Sequence, residues 1–334
     1  MSNSRTSADQ CVLLADIGGT NARFALADHS GIGAIEHLRV AEFPSVTEAI
    51  TTFLQHRAPL GRVGAAVLAV AGPVENNRCT TTNSRWLIDG DNLKNAFGFA
   101  AVRLLNDFEA VAWSLPELKS QDIYPIGGRH GVARAPMLAL GPGTGFGVAC
   151  LFSPETMSFA AVSEAGHATI AAMSGRQDQV IGHLREQFGH VSVERTLSGA
   201  GLENLYRALA SLDGATVPWR DAAAITQAAL DGSCSVSRAA LDMFCSLLGA
   251  VAGNLALTFS ARGGVYIAGG IVPRFADHLS RSSFRKQFES KGRFESYLRD
   301  IPTSIIVRSD ESFVGLKAFH DRTIARDASD ARGP

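Results

Sequence analysis

Two short glycine-rich segments hold the residues best suited to chemistry. Asp16-Ile17-Gly18-Gly19-Thr20 ends the apolar run Leu13-Leu14-Ala15 and passes straight into Asn21–Ala27, while Leu138-Ala139-Leu140-Gly141-Pro142-Gly143-Thr144-Gly145 passes straight into Phe146–Phe152. Each reads as strand, glycine turn, strand, an internal echo of one unit. Such a turn presents backbone N–H groups to an anion, and its missing side chains let phosphate oxygens come close. One copy is equally well an ordinary type I′ hairpin turn. Two copies, each with a threonine (Thr20, Thr144) whose hydroxyl and N–H could meet a phosphate, point to a polyphosphate gripped from opposite sides. The pattern differs from the Walker and dinucleotide fingerprints, in which the glycine loop opens a helix. Asp16 could cap the turn or could hold water on Mg²⁺, an ion that takes one or two carboxylates and keeps several waters. The phosphate turns beside it favour the metal.

Asn106-Asp107 closes the apolar run Val102–Leu105 at its carboxyl end, where open α/β sheets place their ligands. Either residue could simply be the N-cap of a following helix. Leu105 and Phe108 would partly desolvate Asp107, and a carboxylate so placed can accept the proton of a substrate hydroxyl, as phosphoryl transfer to an alcohol requires. Glu164-Ala165-Gly166-His167 and Glu194 offer acceptors and a donor suited to sugar hydroxyls. Taken singly they are unremarkable, and no further His or Cys stands at metal-ligand spacing near Glu164 and His167. Gly263-Gly264 and Gly269-Gly270 bracket a buried-looking strand, where glycine either admits a flat ring against the backbone or permits close packing. A possible helix begins at Pro273.

An alternation of strands and helices is expected to position these groups. Val12–Leu26 is β-rich, Val46–His56 has helical spacing, Val63–Ala71 is a continuous apolar run, and Val102–Leu105 feeds a helix from Glu109 to Leu115. The segment from Pro116 to Pro136 reads as a loop, with a domain boundary near Pro116. Helical periodicity then dominates over Gln177–Phe188, Gly201–Leu212, Ala222–Leu230 and Ser237–Ser260, before one more strand, Val265–Ala268. Glu311–His320 has helical spacing and is expected to pack back on the first domain. The domains are accordingly 1–116 plus about 311–334, a small α/β domain, and 117–310, a larger one with extra helices. The tail from Arg322 to Pro334 reads as a frayed helix or disordered.

With 334 residues, 46% hydrophobic and 19% charged, the chain has too much apolar content for disorder and enough length for two domains with a cleft. Its 31 Lys+Arg balance 32 Asp+Glu, without the basic excess that nucleic-acid binding needs, so small-molecule partners are favoured. The longest uncharged stretch, Ala135–Pro154, holds four glycines and three prolines and is no spanning helix, and the polar N-terminus carries no signal-peptide core. A cytoplasmic protein without membrane partners is expected. Five widely spaced cysteines without a C-x-x-C pair suggest reduced thiols and no zinc site.

Asp16-Ile17-Gly18-Gly19-Thr20-Asn21-Ala22-Arg23, Leu105-Asn106-Asp107-Phe108, Leu140 to Gly145, Ser198-Gly199 with Gly201-Leu202, and Ala268-Gly269-Gly270-Ile271-Val272-Pro273 resemble the motifs of the bacterial glucokinases, in order and over nearly the whole chain. That family belongs, outside its zinc-containing branch, to the superfamily of sugar kinases, actin and chaperone ATPases. The resemblance implies two actin-like (ribonuclease-H-like) α/β domains around a central cleft, closing over glucose and MgATP. It implies that Asp107 is the general base on the sugar 6-hydroxyl and that Asn106, Asp107, Glu164, His167 and Glu194 hold the sugar. It implies further that Asp16, Gly18, Gly19, Thr20, Asn21, Gly143, Thr144, Gly145, Gly269 and Gly270 bind ATP, with Asp16 serving Mg²⁺ through water. A homodimer is also implied. The family usually has Glu-Gly-Gly-His where this chain has Glu164-Ala165-Gly166-His167, which adds a methyl group beside the sugar contacts. Other readings are a kinase for another hexose or an amino sugar, a sugar-sensing regulator that keeps the fold without catalysis, and an actin-like filament protein. The first strand begins too early to leave room for a DNA-binding helix-turn-helix ahead of it.

Overall fold

In the computed structural model, which describes residues 10–57, 62–80, 86–153 and 157–324, the apolar run around Leu13 forms β1 (Gln10–Ile17). It turns through Gly18-Gly19-Thr20 into the antiparallel β2 (Asn21–Asp28), which continues to β3 (Gly31–Ile32) and β4 (Glu36–Arg39). Ser45 caps α1 (Val46–His56) by accepting from Glu48 N, and the helix buries Val46, Ala49, Ile50 and Phe53, one face at 3.6-residue spacing. Phe53 stacks on Phe24 of β2 with ring centroids 5.6 Å apart. The run from Val63 becomes β5 (Arg62–Val70), parallel to β1. The small hairpin of β6 (Arg78–Thr80) and β7 (Leu87–Asp89) leads to α2 (Gly90–Phe97), then β8 (Ala101–Asn106) lies parallel to β5 and α3 (Asp107–Ser114) follows without a gap. The strand order of this sheet is β3-β2-β1-β5-β8, with β4 also on β2.

A second sheet repeats the plan. It contains β9 (Ile123–Gly127), β10 (Met137–Pro142), β11 (Phe146–Phe152) and β12 (Phe159–Ser163). Four helices follow: α4 (Gly175–Phe188), α5 (Gly199–Leu212), α6 (Ala222–Leu230) and α7 (Ser235–Thr258). After these come β13 (Gly264–Ile267), the short α8 (Ala276–Arg281), α9 (Phe284–Glu289) and α10 (Glu295–Asp300), and β14 (Thr303–Ile306). The order β12-β11-β10-β13-β14-β9 places an antiparallel meander beside two parallel strands, as in the first sheet, with β9 added antiparallel at the far edge. The chain then forms α11 (Glu311–Phe319) and a last wide helical turn to Ile324; the rest of the tail lies outside the described residues.

Contacts divide the chain into two units, Met1–Glu117 with Ser309–Pro334, and Leu118–Arg308. In the first, Leu13 and Leu14 point to opposite faces of β1 and both are fully buried, so both faces of the sheet are covered. One face is covered by α11, which packs on α3 and β1; Gly315 is required there, because a Cβ would collide with the Ala110 carbonyl oxygen. In the second unit, α7 runs through the core and buries Leu241, Phe244, Leu248 and Ala252. Among the described residues α7 is also the one helix long and apolar enough to cross a membrane, but 67% of its most apolar window is buried inside the unit, as a core helix requires.

Three expectations need correction. The segment Pro116–Pro136 is not all loop: Ile123–Gly127 is a strand, and Pro125 is tolerated because β9 is an edge strand. Val265 does not begin the last strand, because Thr303–Ile306 adds β14, four buried residues too short to show a period. The helix after Asn106 begins at Asp107 rather than Glu109, because Asn106 supplies the cap. The five cysteines are all free; Cys79, Cys150 and Cys245 are buried, and Cys11 and Cys234 partly so.

Candidate active site

In the first unit, β1, β5 and β8 are parallel, and their carboxyl ends bring Asp16, Gly72 and Asn106 to one edge of the sheet, with Asp16 opposite Ala69 and Val70 opposite Asn106. Asn106 does two structural jobs. Its Oδ1 accepts from Phe108 N at 3.0 Å as the N-cap of α3, and its Nδ2 donates to the Gly72 carbonyl oxygen at 3.2 Å, tying β8 to the end of β5. The capping alternative therefore falls to Asn106, and Asp107 is the first residue of the helix. Asp107 is half-buried, and its Oδ1 accepts from Phe108 N at 2.9 Å. Burial pushes its carboxyl up to about 6, helped by the nearby charge of Asp16 and opposed by the Phe108 N–H. The positive end of α3 would favour the ionised form, so desolvation outweighs it here. Glu109, half-buried in the same first turn of α3, is pushed up to about 7, again chiefly by burial.

Asp16 is 17% exposed and paired. Its Oδ2 accepts from Arg23 Nη2, across the hairpin, and from Ser312 Oγ of α11 at 2.7 Å. No hydrogen bond of the described residues occupies its Oδ1, which leaves one carboxylate oxygen for a hydrated cation. Among the described residues no group of three or more His, Cys, Asp or Glu side chains could hold a metal ion directly.

The glycine turns differ from the ordinary hairpin alternative. A type I′ turn needs left-handed residues at its centre, and none of Gly18, Gly19, Gly143 or Gly145 adopts a positive φ. Backbone geometry does not explain glycine at these places. At Gly143 a Cβ would meet nothing within 4 Å, so the bare backbone serves no packing need either.

In the second unit, Gly143 is tied to the start of α5, since Gly199 N donates to the Gly143 carbonyl oxygen at 3.0 Å, and Ser198 caps that helix by accepting from Gly201 N at 3.0 Å. Gly269, at φ +92°, lies against Pro142, where a Cβ would stand 2.6 Å from the carbonyl oxygen, and the Ala268 N–H donates to Leu140 at 2.8 Å. The second glycine turn, the α5 N-terminus and Gly269-Gly270 thus converge. Glu194 joins them: its Oε2 accepts from Phe146 N at 2.9 Å, and its own N–H donates to the Gly166 carbonyl oxygen at 2.9 Å. That second bond carries Glu164 and His167 to the same place. Both side chains are exposed, 70% and 65%, with Nε2 of His167 4.0 Å from Oε2 of Glu164, so their polar atoms are available to a ligand. The sequence showed Ser198-Gly199 but not their part in fixing the turn; a serine N-cap before glycines was the available signal. Arg23 likewise stands in the sequence with no local sign of its partners.

This duplicated α/β core, with a glycine turn in each copy and a carboxylate at the strand ends of the first, is the two-domain fold of the actin-like ATPases. The glucokinase family model matches residues 13–323. Glucokinase from Paramagnetospirillum magneticum is 44% identical over 311 residues, covering 92% of this chain and 96% of that protein. A bifunctional protein of Paraburkholderia xenovorans is 42% identical over 314 residues, and there the chain spans 49% of the longer protein. The crystal structure of a glucokinase from an Antarctic psychrotroph superposes with a TM-score of 0.84 at 36% identity, covering 92% of this chain and 98% of that one. The chain belongs to the glucokinase family, as its motifs suggested, and is an enzyme of that family's activity, the ATP-dependent phosphorylation of glucose to glucose 6-phosphate.

Proposed function

We propose that Asp107 is the general base of this phosphoryl transfer, taking the proton of the glucose 6-hydroxyl as that oxygen meets the γ-phosphorus. The observation that carries the reading is the state of the Asp107 carboxylate: held at the first position of α3 without being its cap, half-buried, and raised to about 6. A base with such a pKa is ionised at neutral pH yet basic enough to share a proton in the transition state. The sugar ligands in this reading are Asn106, Asp107, Glu164, His167 and Glu194. The nucleotide ligands are Asp16, Gly18, Gly19, Thr20, Asn21, Gly143, Thr144, Gly145, Gly269 and Gly270. Support for the phosphate turns comes from Gly143, a glycine that neither φ nor packing requires. Mg²⁺, held through water at Asp16, would supply neutralisation of phosphate charge. Cytoplasmic location and a homodimer complete the reading, on the strength of the resemblance.

The test is the pH profile. kcat/KM is expected to fall about tenfold per pH unit below about 6, as Asp107 gains its proton, and to be level above about 7. Glu109→Gln should leave this acid limb in place; its disappearance in that variant would assign the limb to Glu109 instead. Gly143→Ala addresses the phosphate turn separately. The added methyl meets no protein atom, so the melting temperature should hold. KM for ATP should rise roughly 10-fold, since a phosphate oxygen can no longer approach the backbone, while KM for glucose stays within about twofold. Unchanged kinetics for ATP would remove Gly143 from the nucleotide site.

A further inference from the structure

Arg23 is enclosed by the first turn of α11. Its Nη1 donates to the Ser309 carbonyl oxygen at 3.0 Å, its Nη2 donates to Asp16 Oδ2 and to Ser312 Oγ, the latter at 3.2 Å, and the guanidinium lies 5.5 Å from the Phe313 ring centroid. Glu311 belongs to the same turn, and among the described residues its Oε2 is buried without any hydrogen-bond partner. A buried carboxylate oxygen left without a donor is costly, and its retention calls for a state in which it has one. The Arg23 guanidinium is a donor near enough to act on its charge. Burial raises the Glu311 carboxyl, its own backbone N–H and then Arg23 oppose that rise, and Asp16 and Asp310 add to it, so the side chain already feels both members of the Arg23–Asp16 pair.

One carboxylate oxygen serves Arg23 and Ser312 at once, and a divalent cation on the same carboxylate would repel the guanidinium. We propose that Glu311 is a positioning residue that acts as the second acceptor of Arg23: when Asp16 turns to hydrated Mg²⁺, the guanidinium passes from Asp16 Oδ2 to Glu311 Oε2. The proposal rests on the reading of Asp16 as the magnesium carboxylate. Glu311 keeps the arginine's charge paired in the loaded state, and Asp16 does so in the free protein. Release of Asp16 to the metal is thereby coupled to a contact that already waits, orphaned, in the same turn.

A double-mutant cycle of Arg23→Met and Glu311→Gln tests it, read as the dissociation constant for ATP with Mg²⁺ and, separately, with EDTA, and as the melting temperature of the free protein. Glu311→Gln removes an unpartnered buried charge, so the free protein should melt no lower. It should weaken MgATP binding roughly 10-fold, the size of a lost hydrogen bond between charged groups, and leave metal-free ATP binding unchanged. In the Arg23→Met background it should have almost no further effect on MgATP. Equal weakening of both nucleotide forms, or additive effects on MgATP, would overturn the role of Glu311. Asp16→Asn separates the two ideas. If Mg²⁺ still tightens ATP binding as much in Asp16→Asn as in the unaltered protein, the Asp16 reading falls and the proposal with it; if that tightening is lost while the cycle is additive, only Glu311 is wrongly placed.

Discussion

Asp107→Asn is expected to lower turnover roughly 10²–10⁴-fold, the usual worth of a general base, while leaving glucose binding largely intact. The substitution keeps the shape and an oxygen able to accept from Phe108 N. The helix cap is untouched, because Asn106 provides it. A second consequence separates base from scaffold. The Asp107 carboxyl is raised in the folded protein from 3.8 to about 6, so folding favours its protonated form. The stability tied to that form is fully present below pH ~4 and is lost as pH rises through about 6. Neutral asparagine does not suffer this loss, so the variant should gain stability relative to the unaltered protein at pH 8 and not at pH 4. Denaturant melts at the two pH values, run beside steady-state kinetics, measure both effects. A folded Asp107→Asn protein with near-normal turnover would end the assignment of the base. The opposed outcomes, more stable and far less active, are what a carboxylate kept partly desolvated for catalysis should give.

Glucose should lead a panel of hexoses, and each epimer that misplaces one hydroxyl should lose roughly 10–100-fold in kcat/KM, because a polar partner enclosed with the sugar and left unpaired costs about 1–3 kcal/mol. Glu164, His167 and Glu194 are the proposed readers of those hydroxyls. Their states differ: Glu164 and His167 are exposed, whereas Glu194 has already given one oxygen to Phe146 N. A 2-acetamido group should fare no better than an epimer, since Ala165 places a methyl beside these contacts and is half-buried against the core of its unit. Glu164→Gln, which replaces an acceptor oxygen by a donor, should weaken glucose binding more than ATP binding. A coupled assay across the panel, followed by calorimetry on the variant, decides it. Equal losses for both ligands, or a preference for N-acetylglucosamine, would point to an amino-sugar kinase instead.

Much of the framework was legible in the residues alone, because it rests on local rules. α1 and α6 are found at the bounds that their apolar spacing gives, Val46–His56 and Ala222–Leu230, and Ser45 and Asp221 cap them as short polar residues do. The two strand–turn–strand segments are β1–β2 and β10–β11, pairing in register from Ile17 with Ala22 and from Pro142 with Phe146. β9 and β14 escaped because five and four residues hold too few repeats of a two-residue period, and because they pair with partners far away in the chain, β9 with β14 and β14 also with β13. The site divides in the same way. Asp16, Asn106, Asp107 and the glycine turns are marked by where they fall at strand ends, which is a local property. What they do there is not local. That Asp107 is no cap, that its carboxyl is raised, and that the turn glycines answer no demand of φ follow from burial and dihedral angles, which the chain acquires only on folding. Glu194 comes to Gly166 and Phe146 through one backbone and one side-chain hydrogen bond, and Arg23 finds Ser312 across 289 positions. No period or motif encodes such pairs. Sequence determined which groups stand at the ends of its strands, since hydrophobic alternation and turn chemistry act over a few residues; tertiary structure decided which of those groups meet, how dry they become and which oxygen is left without a partner, since these depend on segments that only the packed core brings together.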